Sequence, residues 1–299
     1  MWRNVFAVLA CVPLCAAAQG GNVPGRDLLT FPVTLVVEGP ATGDASGVGL
    51  WNPALTLLPT GSRWRIGAGA MTAPTDAAIN AQYGGFSHSW RGTTVSVSVL
   101  RSSVGRLLRT DSDPLSLGEE VPYETVLLTA GVARRIAPHV VLGLAAHARS
   151  GLLDGISRSA NSLDAGLLVD HLTPLDVSVG ASSFLHTTWT GAGSELAALL
   201  LGVDGRVFGT DSVHTLRAGY SYQRAVGLYS EQFAYGAGRW SMFELRGGTV
   251  RTDIYGQTNW RLRLGMVARY GGYTVGVARE ETPNGFAPSY QFTLSTLLP

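Results

Sequence analysis

The sequence contains no lysine. All 22 basic residues are arginines, set against 21 acids. Charged residues of both signs make up only 14% of the chain. Nowhere do basic and aromatic residues interleave, so nucleic acid is excluded as an expected partner. The near balance of charge argues against global steering of charged ligands. Cysteine is confined to Cys11 and Cys15, so the chain after residue 18 has no disulfide and no thiolate metal site. Beyond the first twenty residues no apolar run reaches the roughly eighteen needed for a membrane helix. Mean hydropathy is nevertheless positive, +0.17. An apolar chain without a spanning helix spreads its apolarity over alternating strands, the signature of a membrane β-barrel.

What is present begins with a secretory signal. Arg3 supplies a basic start, Val5 to Leu14 an apolar stretch, and Ala16-Ala17-Ala18 a small-residue cleavage site. A glycine- and proline-rich segment follows and closes on Trp51-Asn52-Pro53-Ala54. Asn can cap a helix and Pro suits its first position, so this stretch predicts a short helical start.

From Trp64 onward, runs of period two alternate with breaks. Thr93 to Val99 puts valines on one face and Thr/Ser on the other. Ser289 to Leu298 puts Tyr290, Phe292 and Leu294 opposite Gln291, Thr293 and Ser295. Short turns are expected at Arg91-Gly92, Ile136–His139, His171–Pro174 and Gly271-Gly272, a break between aromatic-rich runs at Ala237–Arg239, and a long loop over Leu107 to Pro122. Leu196 to Val207 is irregular, readable as a strand or a short helix. Aromatic residues fall mostly at strand ends (Trp64, Trp90, Tyr123, Tyr220, Tyr222, Trp240, Trp260, Tyr270, Tyr273, Tyr290), as interface girdles do. The expected architecture is all-β: a single transmembrane antiparallel barrel of about 14 strands with a short N-terminal plug. The expected division is a signal over 1–18, a plug or periplasmic segment over 19–62 and the barrel over 63–299.

Alternation also assigns faces. Arg149, Asp164, Arg217, Arg261, Arg263 and Arg269 fall on the lumen side, with Asp170 and Asp176. They are expected to serve as a selectivity lining or an anchor for the plug, or as mutual ion pairs, which a narrow barrel requires of buried charge. Trp51, Asn52 and Pro53 are plug or ligand-path candidates. The six histidines are scattered, without a His-x-x-x-His pair or a Gly-x-Ser-x-Gly elbow, so neither catalysis, a metal nor a cofactor is expected.

The stretch Ala45-Ser46-Gly47-Val48-Gly49-Leu50-Trp51-Asn52-Pro53-Ala54-Leu55, followed by the strands and by Leu163-Asp164-Ala165-Gly166-Leu167, resembles the FadL-like outer-membrane barrels, and more closely their PorV/PorQ branch. That resemblance implies an outer-membrane location after cleavage near Ala18 and contact with outer-membrane lipid. It also implies a non-enzymatic role as a component or accessory of the type IX secretion and surface-attachment machinery, with secretion proteins as partners. The alternative it implies is a FadL-like passive channel for hydrophobic small molecules such as fatty acids. A third reading, a lipid-modifying rim enzyme using His88-Ser89 or His186, requires Ser and His within hydrogen-bond reach.

Overall fold

The computed structural model describes residues 23–25, 27–30, 37–43, 48–73, 78–109, 118–185, 187–188, 198–209, 214–225, 229–254, 256–281 and 288–299. The expected signal segment, the small-residue run 44–47, most of the apolar run 31–37 and His186 lie outside these residues.

Strand follows strand in antiparallel order: β1 (Trp64–Thr72), β2 (Ile79–Trp90), β3 (Thr93–Val104), β4 (Tyr123–Ala137), β5 (Val140–Leu153), β6 (Ile156–Val169), β7 (Ser178–Phe184), β8 (Thr187–Thr188), β9 (Ala198–Phe208), β10 (His214–Ala225), β11 (Tyr229–Trp240), β12 (Phe243–Ile254), β13 (Gln257–Tyr270), β14 (Tyr273–Glu280) and β15 (Ser289–Leu298). β7 and β8 both pair with β6 and are two pieces of one stave, so the wall has 14 staves. β15 pairs with β1 from Trp64↔Leu298 to Thr72↔Tyr290, which closes the sheet and removes both edges. Pro299 stands outside the ladder, as its missing amide hydrogen requires.

Period-two burial runs through the wall. In β15, Tyr290, Phe292 and Leu294 are exposed while Ser289, Gln291, Thr293 and Ser295 are buried. The outer surface is a band of Leu, Val and aromatic side chains. At the end that carries both chain ends of the barrel, Trp90, Trp240, Tyr270 and Tyr273 point outward and are exposed. Tyr220 is not part of a girdle; it lies mid-strand and its hydroxyl donates to Gln232 Oε1 (3.1 Å).

Of the two readings open for Leu196–Val207, the structure takes the strand: Ala198–Phe208 is β9. One feature differs from the sequence expectation. Ala237–Arg239 is not a break: β11 runs on to Trp240 and the reversal falls at Ser241-Met242, where Ser241 takes φ 56°. Gly238 faces outward in the ladder opposite Leu216 and Leu245, so it reads as a break only when its neighbours are unknown.

Asp170 and Asp176 lie beyond the strand ends, in the β6–β7 connection. The Asp170 carboxylate takes two hydrogen bonds from Arg135, at 2.8 and 2.6 Å. The Arg135 hydrogen bonds hold its carboxyl below the ordinary carboxylate range. A depressed folded-state pKa stabilises above the unfolded value, about 3.9, and that stabilisation is lost as pH falls through the folded value. Asp170→Asn is therefore expected to lower the unfolding temperature at pH 6, with the difference from wild type shrinking below about pH 4. Melting both proteins in detergent across pH 2.5–7 checks this; a gap that widens on acidification refutes it.

Candidate functional site

The interior is built by the N-terminal segment. Leu29, Ala41, Val48, Leu50 and Trp51 form one apolar core with the inward side chains Met71, Tyr83, Leu100, Leu127, Phe184, Leu185 and Leu200. A second core gathers Val37 with Phe233, Tyr235, Val250 and Val267. Asn52 caps the 3₁₀ turn Pro53–Thr56: its Oδ1 accepts from Ala54 N (3.0 Å), with Pro53 at the first position. The Asn52 amide donates to Ala41 O (2.7 Å) and to the wall at Leu167 O (3.3 Å). One side chain thus ties two plug turns to β6.

The wall is notched to receive these turns. Gly143 of β5 and Gly166 of β6 are direct cross-strand partners facing inward. A Cβ at Gly143 would overlap the Pro53–Ala54 backbone, and one at Gly166 would overlap Asn52 Oδ1. Gly180 of β7 and Gly202 of β9 form a second pair against Ala41 and Thr42. Here glycine is required by close approach of another backbone.

The same staves carry the one interruption of the wall among the described residues. β6 pairs with β7 only from Gly166↔Ser182 to Val169↔Val179, and with β8 only at Leu163↔Thr187 and Ser162↔Thr188. Between these two ladders the register shifts by two residues. The Ala165 amide donates to Ser183 Oγ (3.1 Å). Leu185 takes φ 57°, a left-handed conformation that turns the chain away from the ladder. On the outer surface, a depression of about 560 Å³ is lined by Leu142, Leu144, Ala165, Leu167, Ala181 and Leu199, among others. On the inner side stands Phe184, its ring 4.6 Å from Trp51 and edge-on to His147 at 6.0 Å.

Behind Phe184 is a polar chain. Thr129 Oγ1 is 2.8 Å from His147 Nδ1, and His147 Nε2 is 2.7 Å from Asp164 Oδ2. Hydroxyl, imidazole and carboxylate stand in the order of a nucleophilic relay. All three are buried under Phe184, at 3% exposure or less, which closes the hydroxyl to a substrate in this state. His88 and Ser89 form no such set; His88 Nδ1 is 3.2 Å from Arg63 O.

One group of the remaining lumen charges lies on the opposite wall. Arg261 and Arg263 of β13 meet Glu231 of β11 and Glu280 of β14: Arg261 Nη2 is 2.9 Å from Glu231, and Arg263 Nε donates to Glu280 at 2.6 Å. The Arg263 guanidinium lies 4.8 Å from the Phe233 ring centroid, a cation–π contact. Arg269 and Arg246 meet Glu244, and Arg246 also pairs with Glu38 of the plug. Arg217 pairs with Asp176 (2.7 Å) and Asp204. Arg149 sits apart and donates to the plug carbonyls of Val23 (3.3 Å) and Pro24 (3.4 Å).

Trp51, Asn52 and Pro53 are thus brought together with Asp164 at the interruption. Arg217, Arg261, Arg263 and Arg269 are not. Reasoning from sequence alone missed Phe184, because the alternation was followed only to Ala181. It also missed the pairing of His147 with Asp164, although both sit on the inward side of their strands.

The class this fold defines is a closed 14-stave antiparallel barrel with a chain segment packed in its lumen. No established family profile matches the chain, and no curated protein matches it in sequence. Solved structures do share the fold. The toluene transporter TbuX of Ralstonia pickettii superposes with a TM-score of 0.64 over 94% of this chain and 99% of that one, at 11% identity. The toluene transporter TodX of Pseudomonas putida gives 0.58 over 94% and 98%, at 10% identity. A FadL homologue of Pseudomonas aeruginosa gives 0.52 over 95% and 99%, at 10% identity. At these identities the likeness is one of fold.

Proposed function

We propose that the chain is a non-enzymatic outer-membrane barrel that passes small hydrophobic molecules, with the interruption between β6 and β7/β8 as their exit through the wall. The observation that carries this is continuity of apolar surface. The apolar lumen core reaches the interruption at Phe184 and Leu185, and the outer depression takes over on the far side. The band of exposed Leu, Val and aromatic side chains supports a bilayer as the surroundings. The named activities of the barrels that share the fold, toluene transport and monoaromatic hydrocarbon conduction, support the solute class. Among the described residues, the ion pairs described above other than His147–Asp164 lie on β9 to β14, with Glu38 of the plug, or at the rims.

This reading takes precedence over the PorV/PorQ secretion role expected from the sequence. The Asn52-Pro53-Ala54 stretch that suggested that role is accounted for by seating the plug on Gly143 and Gly166, without a partner protein.

The mature chain's lack of cysteine allows a direct test. Ala165→Cys with Ser183→Cys places two thiols across the interruption, where Ala165 N and Ser183 Oγ are 3.1 Å apart. Oxidation is expected to reduce uptake of radiolabelled toluene to the level of cells without the barrel, and reduction to restore it. Uptake by the oxidised form at the wild-type rate would sink this exit.

A further inference from the structure

The indole N–H of Trp51 is buried, at 4% exposure, and meets no acceptor among the described residues. Buried donors are almost always paired, so an orphan of this kind calls for a physical reason. Its position is fixed at both ends of the residue. The Trp51 carbonyl accepts from Ser182 Oγ (2.7 Å), and the ring packs on Phe184. Neighbouring hydroxyls are already engaged: Ser182 with that carbonyl, Thr129 with His147. The cluster therefore combines aromatic faces, one donor in want of an acceptor, and the His147–Asp164 pair.

We propose that the inner mouth of the interruption is a binding site for a neutral, hydroxyl-bearing apolar solute, a phenol or an alcohol of similar bulk. It selects this class over a hydrocarbon or a carboxylate of the same size. The inference rests on the channel reading above and names its solute. A hydroxyl can accept from the Trp51 N–H. A methyl group in its place leaves the indole N–H unpaired, and sites built with a polar group reject analogues that cannot pair it. A carboxylate also accepts from the indole but brings its charge into a poorly solvated site. The ring of the solute packs against Phe184 and Trp51, where aromatic pairs gain beyond their area.

Toluene, phenol and benzoate share one ring and differ only in the head group. Their radiolabelled uptake is measured in lipopolysaccharide-bearing cells that express the wild type, Trp51→Phe, or no barrel. Wild type is expected to favour phenol over toluene and to discriminate against benzoate. Trp51→Phe keeps the ring packing and is expected to lower phenol uptake roughly two- to tenfold, the range for one neutral hydrogen bond. Toluene uptake is expected to fall less, so the phenol-to-toluene ratio drops.

If none of the three enters faster than in cells without the barrel, the channel reading itself fails. If toluene enters but Trp51→Phe leaves the phenol-to-toluene ratio unaltered, the solute assignment is overturned and the channel reading stands. A measurement on the wild type alone guards against a misfolded variant: crystals soaked with 4-bromophenol are expected to show anomalous bromine density beside Phe184 and an oxygen within hydrogen-bond reach of Trp51 Nε1. Bromine found only at other positions overturns the assignment.

Discussion

Gly143→Ala is expected to destabilise the folded barrel by about 3 kcal/mol, the upper range for overpacking a rigid site. The added Cβ meets backbone, the Pro53–Ala54 peptide, which cannot swing aside as a side-chain tip can. Making room moves the 3₁₀ turn off the wall and pulls Asn52 from Leu167 O and Ala41 O. Each buried hydrogen bond lost adds roughly 0.5–1.5 kcal/mol. Gly166→Ala acts on the same seat from the neighbouring strand, against the Asn52 side chain, and is expected to be the milder of the two. The control is Gly84→Ala on β2, where the nearest atom to a new Cβ is Gly67 O at 3.9 Å. That substitution is expected to fall within about 0.5 kcal/mol of wild type. Urea unfolding in detergent gives the three values, and limited proteolysis reports whether residues before Trp64 have come loose. Equal stability of the Gly143 and Gly84 variants would show that the notch is not a seat.

The contrast among these glycines shows where the sequence is legible. Each sits in an alternating run, so its strand and its face follow from period two. What distinguishes Gly143 from Gly84 is a plug turn about ninety positions upstream in the chain, which no local pattern carries. The same holds for the charges. Arg261, Arg263 and Arg269 declare their inward face by alternation with Trp260, Leu262 and Leu264. Their partners come from β11, β12 and β14 and depend on register between strands. Just past Phe184 the alternation itself fails: Leu185 is buried next to Phe184, and the register shifts from Gly166↔Ser182 to Leu163↔Thr187. An interruption of that kind looks in sequence like an ordinary strand end. At Ser241 the difficulty is opposite: a non-glycine residue takes the positive φ that glycine-rich Ala237–Arg239 seemed to offer.

Charge balance inside the wall leads to the second large effect. Arg261 and Arg263 against Glu231 and Glu280 form a neutral group of four, with Arg263 only 2% exposed. Arg263→Met keeps a flexible chain against Phe233 but leaves two carboxylates facing one guanidinium. Breaking a buried pair from one side costs about 3–5 kcal/mol, because the partner charge stays behind unsolvated. Glu280→Gln makes the opposite error, two guanidiniums for one carboxylate, and is expected to fall in the same range. Arg263→Met with Glu280→Gln restores neutrality, since Arg261 and Glu231 remain 2.9 Å apart. The double variant is therefore expected to be more stable than either single one, a coupling of opposite sign to the two losses. If the losses simply add, neutrality is not what holds this wall, and cation–π packing on Phe233 takes its place as the explanation. Toluene uptake separates structure from transport. The group of four lies across the barrel from Phe184, so the double variant is expected to keep wild-type uptake despite the two charges removed from its lumen. A loss of uptake there, with the fold intact, would move the solute path from the interruption in β6–β7 to the arginine-lined wall.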